Sequence, residues 1–334
     1  MKRIDFLAIG DIVIDAFIEL QNAEVHCDID NENCTISMKF ADKIPYKDVT
    51  VVKAVGNSPN AAVSASRLGL NVALLTHVGN DQNGKECIET LDHENVDTNL
   101  VIAEDGVKTN YHYVLSYAAE RTILIKHEKF TYDFEKEISS LDEAPSWIYL
   151  SSLAEGTENY HEALADYLEK NPEVKLAFQP GTFQMKMGKE KLARLYKRSE
   201  IHFCNKEEAQ RILDTKEIDF KKLLEMTREL GPKIAVITDG PKGAYAYDGQ
   251  NFFNIPIYPD PKPPVERTGA GDAFSSTVAV ALALGKTLEE ALTWGPVNSM
   301  NVVQNIGAQK GLLSRVELEE WLTKAPENYK VNKI

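Results

Sequence analysis

The stretch "VERTGAGDAFSS" (265–276) sets Gly269, Ala270 and Gly271 directly before an acid, Asp272, and an alanine- and valine-rich run that reads as a buried helix. A glycine turn at a helix start leaves backbone N–H groups without intrahelical acceptors, beside the positive end of the helix dipole. Together they make an anion site, suited to a phosphate or to the charge that builds during phosphoryl transfer. A carboxylate planted there needs its own reason. In the plainer reading Asp272 is a first-turn acid that steadies its helix. In the chemical reading it is a general base, accepting a hydroxyl proton as that oxygen attacks a γ-phosphate. Two other glycine motifs fail: a dinucleotide fingerprint needs glycine where Phe274 stands, and a Walker A loop ending in "GKT" (285–287) needs it at Val280.

The elements that must hold this turn are legible around it. "IDFLAIG", "VALLTHVG", "WIYLSSL", "KLAFQP" and "KIAVITDG" are apolar runs of buried-strand type. Helical segments such as "SPNAAVSASRLGL" and "NYHEALADYLEKNP" lie between them, and this alternation implies a mostly parallel sheet covered on both faces. Roughly residues 20–53 and 107–128 alternate β-branched or aromatic residues with polar ones, which reads as antiparallel strands forming a small second sheet over the site as a lid. Edge hairpins with no gating role are the alternative. The proline-rich "IPIYPDPKPPVE" delivers the chain to Arg267 extended and stiff.

Composition narrows the partner. The 334 residues, 43% hydrophobic, can bury a full core, and a net charge of -14 argues against nucleic acid and anionic membranes and for a small molecule. No run approaches the roughly 20 apolar residues of a membrane span, and Asp5, Asp11 and Asp15 interrupt the apolar N-terminus, so a soluble, cytoplasmic protein is expected. Cys27, Cys34, Cys87 and Cys204 show no C-x-x-C spacing and read as reduced thiols.

With these residues in place, the chain resembles the ribokinase family, the PfkB-type carbohydrate kinases. "ERTGAGD" is similar to that family's late D-T-x-G-A-G-D signature, and "VGNSPNAAVSASRLGLNVALLTHVGNDQNG" resembles its early one, about 200 residues upstream. "GDIVID", "NKEEA", "TDGPKGAYAYDG" and "NIGAQKG" extend the likeness over nearly the whole chain. The resemblance implies one ribokinase-like domain over 1–334, a three-layer α/β/α sandwich with a mostly parallel central sheet and a small β-sheet lid from approximately 16–53 and 107–128. It implies Asp272 as catalytic base and the N–H groups of Gly269, Ala270 and Gly271 as oxyanion hole. Asp15, Gly56, Asn57 and Asn60 are implied contacts to substrate hydroxyls; Thr238, Gly240 and Asn298 are implied ATP contacts, the last against adenine. Asn205 and Glu208 are implied to serve phosphate and Mg²⁺ through water, a helix cap being the plain reading of the same N-x-x-E spacing.

Several positions depart from the family. Glu266 replaces the Asp that helps form a monovalent-cation site, which counts against K⁺ as an activator. Val55 replaces the first glycine of the early pair, Gln179 stands where Asp or Asn before proline is frequent, and no counterpart of the ribose-binding glutamate follows "WIYLSSL". The implied function is ATP- and Mg²⁺-dependent phosphorylation of a hydroxyl on a sugar or sugar derivative, with a homodimer through the lid as a further expectation. A nucleoside acceptor is the first alternative, with Phe17, Tyr111 and Tyr113 as linings of a base slot or else as lid packing. A non-catalytic sugar or nucleotide sensor on the same scaffold is the second.

Overall fold

The apolar runs become neighbouring strands of one ten-stranded sheet in the computed structural model, which describes residues 3–28, 34–117 and 120–334. From one edge the order is Val101–Glu104, Val72–Gly79, Phe6–Ile9, Trp147–Leu150, Lys175–Phe178, Ser199–Asn205 and Ile234–Thr238, all parallel. Ala244–Tyr247, Phe252–Ile255 and Asn332–Lys333 then extend the sheet with antiparallel pairings. Alternate residues of one strand feed opposite cores. Phe6 and Ala8 pack with helices Asn57–Arg67, Ala270–Ala283 and Leu288–Val302, whereas Leu7 and Ile9 pack with Glu158–Lys170, Lys206–Leu213 and Phe220–Glu229. This is the three-layer α/β/α sandwich expected.

Ser199–Asn205 was not among the strands legible in the sequence, because His202 interrupts its apolar run. In the fold His202 is fully buried against Phe178 and Tyr196, and burial pushes its imidazole down to about 3. It packs as a neutral ring.

The small second sheet runs Tyr46–Val55, Val13–Leu20, Tyr111–Tyr117, Glu120–Leu124. Two features differ from the sequence reading. The sheet already includes Val13, so Asp15 belongs to it, and its two central strands are parallel. Parallel neighbours follow from the connection: the chain leaves Leu20 and crosses several elements of the main sheet before Tyr111, and a hairpin cannot join strands so placed. Parts of the expected lid at 29–33 and 118–119 lie outside the described residues.

Glu24–His26 pairs with Thr35–Ser37, and the register His26↔Thr35 brings Cys27 opposite Cys34, where they form a disulfide. The expectation of four reduced thiols is corrected there; Cys87 and Cys204 are free and buried. The spacing concealed the pair because only the antiparallel register brings the two residues face to face. Among the described residues no helix is long and apolar enough to cross a membrane.

Candidate active site

Parallel strands end on the same side, and the chain uses five adjacent ends. Asp11 lies just beyond Phe6–Ile9, Ser151 follows Trp147–Leu150, Gln179 follows Lys175–Phe178, and Asn205 and Thr238 close their strands in register with each other. The strand order reverses beside Phe6–Ile9, the point at which an open α/β sheet forms a ligand crevice.

The glycine turn sits over this edge. Gly269 has φ 81° and ψ -2° and caps the helix Ala270–Ala283; a Cβ there would overlap Ala308. The Ala270 N–H makes a long 3.4 Å contact to the Arg267 carbonyl, and the first helical bond runs from the Ala273 N–H to the Gly269 carbonyl at 2.8 Å. Among the described residues, the N–H groups of Gly269, Gly271 and Asp272 have no acceptor. These open donors are what the sequence reading of an anion site requires.

Asp272, half-buried, faces away from those donors toward the helix Asn57–Arg67. Asn57 Nδ2 donates to Oδ1 at 2.7 Å, Asn60 Nδ2 to Oδ2 at 2.9 Å, and Gln179 Nε2 to Oδ1 at 3.2 Å. Gly56, with φ 124°, precedes that helix, and a Cβ on it would lie 2.7 Å from the Asp11 carbonyl oxygen. The close approach that brings Asn57 and Asn60 onto Asp272 thus needs glycine. Burial pushes the Asp272 carboxyl above the ordinary Asp value, the amide hydrogen bonds oppose that shift, and the Asp15 charge adds to it.

Asp15 is buried, with Oδ1 3.5 Å from His112 Nδ1 across the register Asp15↔His112. Next to it, Asp11 accepts a 2.6 Å hydrogen bond from Tyr132 Oη and lies 3.1 Å from His127 Nδ1. Because Asp15 pairs with His112, Tyr111 and Tyr113 point to the opposite face of the small sheet, so they do not line a slot beside Asp15. Their rings pack on each other at 5.3 Å.

On the other side of the turn lies a cleft of about 360 Å³. Thr238, Gly240 and Gly243 form one wall, Ile257, Pro296 and Met300 supply apolar surface, and Arg267, Ala270 and Gly271 lie at the turn itself. The turn therefore separates a largely apolar cleft from a compartment holding Asp272, Asn57 and Asp15. Asn298 is corrected as a cleft residue. It is fully buried, its Nδ2 donating to Thr277 Oγ1 at 2.8 Å and its Oδ1 accepting from the Leu313 N–H at 2.9 Å, while Pro296, Ser299 and Met300 of the same helix reach the cleft. Helical spacing turns residue 298 away from the face that 296, 299 and 300 present.

Asn205 and Glu208 form the reciprocal cap that their spacing also allowed: Asn205 Oδ1 accepts from the Glu208 N–H, and Glu208 Oε2 from the Asn205 N–H, both at 2.8 Å. Glu208 Oε1 has no partner among the described residues, and burial, with the Asp272 charge adding, pushes this carboxyl up. One free carboxylate oxygen suits a divalent ion that keeps most of its water.

The model of the pfkB family carbohydrate kinases matches residues 25–315. The chain belongs to that family. This pfkB family member is thereby a kinase, a phosphotransferase of the carbohydrate-kinase class. It is 25% identical over 318 residues to the ATP-dependent 6-phosphofructokinase of Thermoanaerobacterium thermosaccharolyticum, covering 92% of this chain and 90% of the relative. It is 27% identical to the ribokinase of Bacillus subtilis, covering 80% and 87%. Its fold matches the Arabidopsis thaliana ribokinase solved with ribose and ATP at TM-score 0.78, with 19% identity over 96% of this chain and 99% of the other.

The structure joins Asp272, Asn57, Asn60 and Asp15 in one compartment and Thr238, Gly240, Ala270 and Gly271 around the other. Sequence reasoning noted Gln179 only as a departure from the family pattern and did not see Tyr149 or Gln309. Gln309 Nε2 donates to the Ala54 carbonyl at 2.7 Å and to Asn60 Oδ1 at 3.1 Å, holding the amide that touches Asp272. The "FQPG" departure was the one available signal. Gly269→Ala is expected to destabilise the fold by more than about 1 kcal/mol, because φ 81° and the Ala308 contact both exclude a Cβ. A lowered midpoint in urea denaturation checks this.

Proposed function

We propose that this pfkB family kinase transfers the γ-phosphoryl group of ATP to a hydroxyl of a sugar or sugar derivative, with Asp272 as general base. The observation that carries the reading is the position of the Gly269–Asp272 turn between two compartments. Its open N–H groups belong to the anion site, and its carboxylate belongs to the side lined by Asp15 and Asn57.

The nucleotide occupies the cleft in this reading, its base against Ile257, Pro296 and Met300 and its phosphates toward Thr238, Gly240, Arg267 and the turn. The acceptor lies by Asp15, Gly56, Asn57 and Asn60, whose carboxylate and amides suit a polyol. A carboxylate presents about four lone-pair positions, and amides take three on Asp272, leaving one on Oδ2 for the acceptor hydroxyl. That hydroxyl gives its proton to Asp272 as its oxygen bonds to the γ-phosphorus and the bond to the β-phosphate oxygen breaks, releasing ADP. The N–H groups of Gly269, Ala270 and Gly271 stabilise the charge on the transferring group. Glu208 and the adjacent Asn205 would hold a Mg²⁺ through water, and the ion would supply further neutralisation of the phosphates. The small sheet acts as the lid of a single 1–334 domain, excluding water as a competing nucleophile.

Its outer face also reads as a homodimer surface: register aligns Val51, Ala16, Tyr113 and Leu124 in one row, with Val51, Tyr113 and Leu124 exposed. Light scattering is expected to give twice the 37.3 kDa chain mass, and Val51→Lys to lower it toward one.

A coupled ADP-release screen over sugars, sugar phosphates, sugar acids and nucleosides is expected to yield a sugar-class acceptor. With that acceptor Asp272→Asn should lower kcat by about 10²–10⁴-fold with ATP binding retained; retained turnover removes the base assignment, and turnover restricted to nucleosides favours the alternative. Asp272 acts only when ionised and its pKa is raised, so activity should fall on acidification with a midpoint above the ordinary Asp value of 3.8. For potassium, Glu266 Oε1 accepts from the Thr268 N–H at 2.7 Å and lies 3.7 Å from Arg121 Nε, while Oε2 is buried without a partner among the described residues. The guanidinium already balances this carboxylate, so replacing NaCl by KCl is expected to leave kcat unchanged. Stimulation by KCl would instead point to a cation at Oε2.

A further inference from the structure

Asp272, when ionised, accepts hydrogen bonds and cannot donate them. Every amide touching it must therefore turn its NH₂ inward, and each such amide is left with an outward carbonyl that needs a donor of its own. For Gln179 that donor is Tyr149: the Tyr149 hydroxyl donates to Gln179 Oε1, while Gln179 Nε2 reaches Asp272 Oδ1 at 3.2 Å. Tyr149 is fully buried on the strand Trp147–Leu150, which pairs with the strand Lys175–Phe178 that Gln179 follows, and the Gln179 N–H is tied to the Leu150 carbonyl at 2.9 Å. Backbone and side chain both fix where this amide points.

We propose that Gln179, oriented by Tyr149, is a positioning residue for Asp272: it holds the carboxylate in place and in its ionised form as a third amide donor. The inference rests on the general-base reading for its catalytic meaning, but not for its test. A negative side chain at residue 179, as the family's frequent Asp would give, adds a like charge to a carboxylate that already faces two. The other ionisable groups facing Asp272 are Asp15 on the strand Val13–Leu20, Glu208 on the helix Lys206–Leu213, and the Tyr149 phenol, which burial pushes well up so that it stays neutral. None of these supplies positive charge, so the amides carry the opposition to burial.

The direction of the effect follows. A hydrogen bond to the ionised form lowers the group's pKa, so removing Gln179's donor raises it, and the base is then protonated over a wider acid range. The test is a pH titration of the ¹³C-aspartate-labelled full chain by carboxyl NMR, with the Asp272 signal identified by its loss in Asp272→Asn. Gln179→Leu is expected to move the Asp272 midpoint to higher pH. Gln179→Glu, which keeps the side-chain shape, should move it further, and Tyr149→Phe should move it less in the same direction. These titrations need no substrate. With the acceptor from the ADP-release screen, kcat/KM of Gln179→Leu should fall off at a higher pH than in the wild type as the solution is acidified and recover toward the wild-type value at alkaline pH, with KM for ATP unchanged.

A midpoint unmoved in both Gln179→Glu and Tyr149→Phe overturns the inference, as does an activity loss equal at all pH values. If the wild-type chain phosphorylates no acceptor, the kinase reading fails separately, and the NMR titration still decides what Gln179 does to Asp272.

Discussion

A carboxylate that is to take a proton beside incoming phosphates must be buried enough to feel the reaction and still ionised when the substrate arrives. Burial and the neighbouring acids Asp15 and Glu208 work against the second requirement. Among the described residues no cation pairs with Asp272. Neutral amides do that work, drawn from two places in the chain: Asn57 and Asn60 from the helix that follows the strand Tyr46–Val55, and Gln179 from a strand end of the main sheet. A lysine or arginine here would lower the pKa more strongly, but it would also stand ready to pair with the phosphate or the acceptor. Amides stabilise the ion without adding net charge.

This requirement explains the surrounding architecture. The amides converge only because parallel strands end together, because the helix Ala270–Ala283 packs against the helix Asn57–Arg67, and because Gly56 lets that helix start close to the Asp11 carbonyl. The outward carbonyls of Gln179 and Asn60 are then satisfied by Tyr149 and Gln309, which extends the site's hydrogen bonding into the core and to the C-terminal part of the chain. Buried polar groups need such partners, so the geometry of one carboxylate propagates through two layers of side chains. The glycine turn contributes the complementary half: its φ at Gly269 and its contact with Ala308 hold the open N–H groups on the cleft side while Asp272 points the other way.

The small sheet is tied to the same centre. Its strand Val13–Leu20 carries Asp15, its strand Tyr111–Tyr117 carries His112, and Arg121 on its last strand faces Glu266 beside the glycine turn. Motion of this sheet relative to the main one would alter the charges around both compartments, so its placement is linked to them by electrostatics.

The sequence alone determined what rests on local pattern. Apolar runs of strand length, the helix between Asn57 and Arg67, the glycine turn, and the anion site with its acid all follow from neighbours within a few residues. The family likeness rested on the same short motifs, and the pfkB match agrees with it. What only the tertiary structure decided rests on which distant groups meet. Gln179 looked like an anomaly until its strand end was set beside Asp272, and Cys27 and Cys34 looked like separate thiols until a hairpin register opposed them. Asn298 looked like a cleft residue until the helix turned it inward, and Tyr111 and Tyr113 read equally as slot linings or lid packing until the pairing Asp15↔His112 put them on the other face. Side-chain direction is set by register and helical phase across the whole chain, and a hydrogen bond between residues 93 positions apart leaves no mark in the neighbours of either.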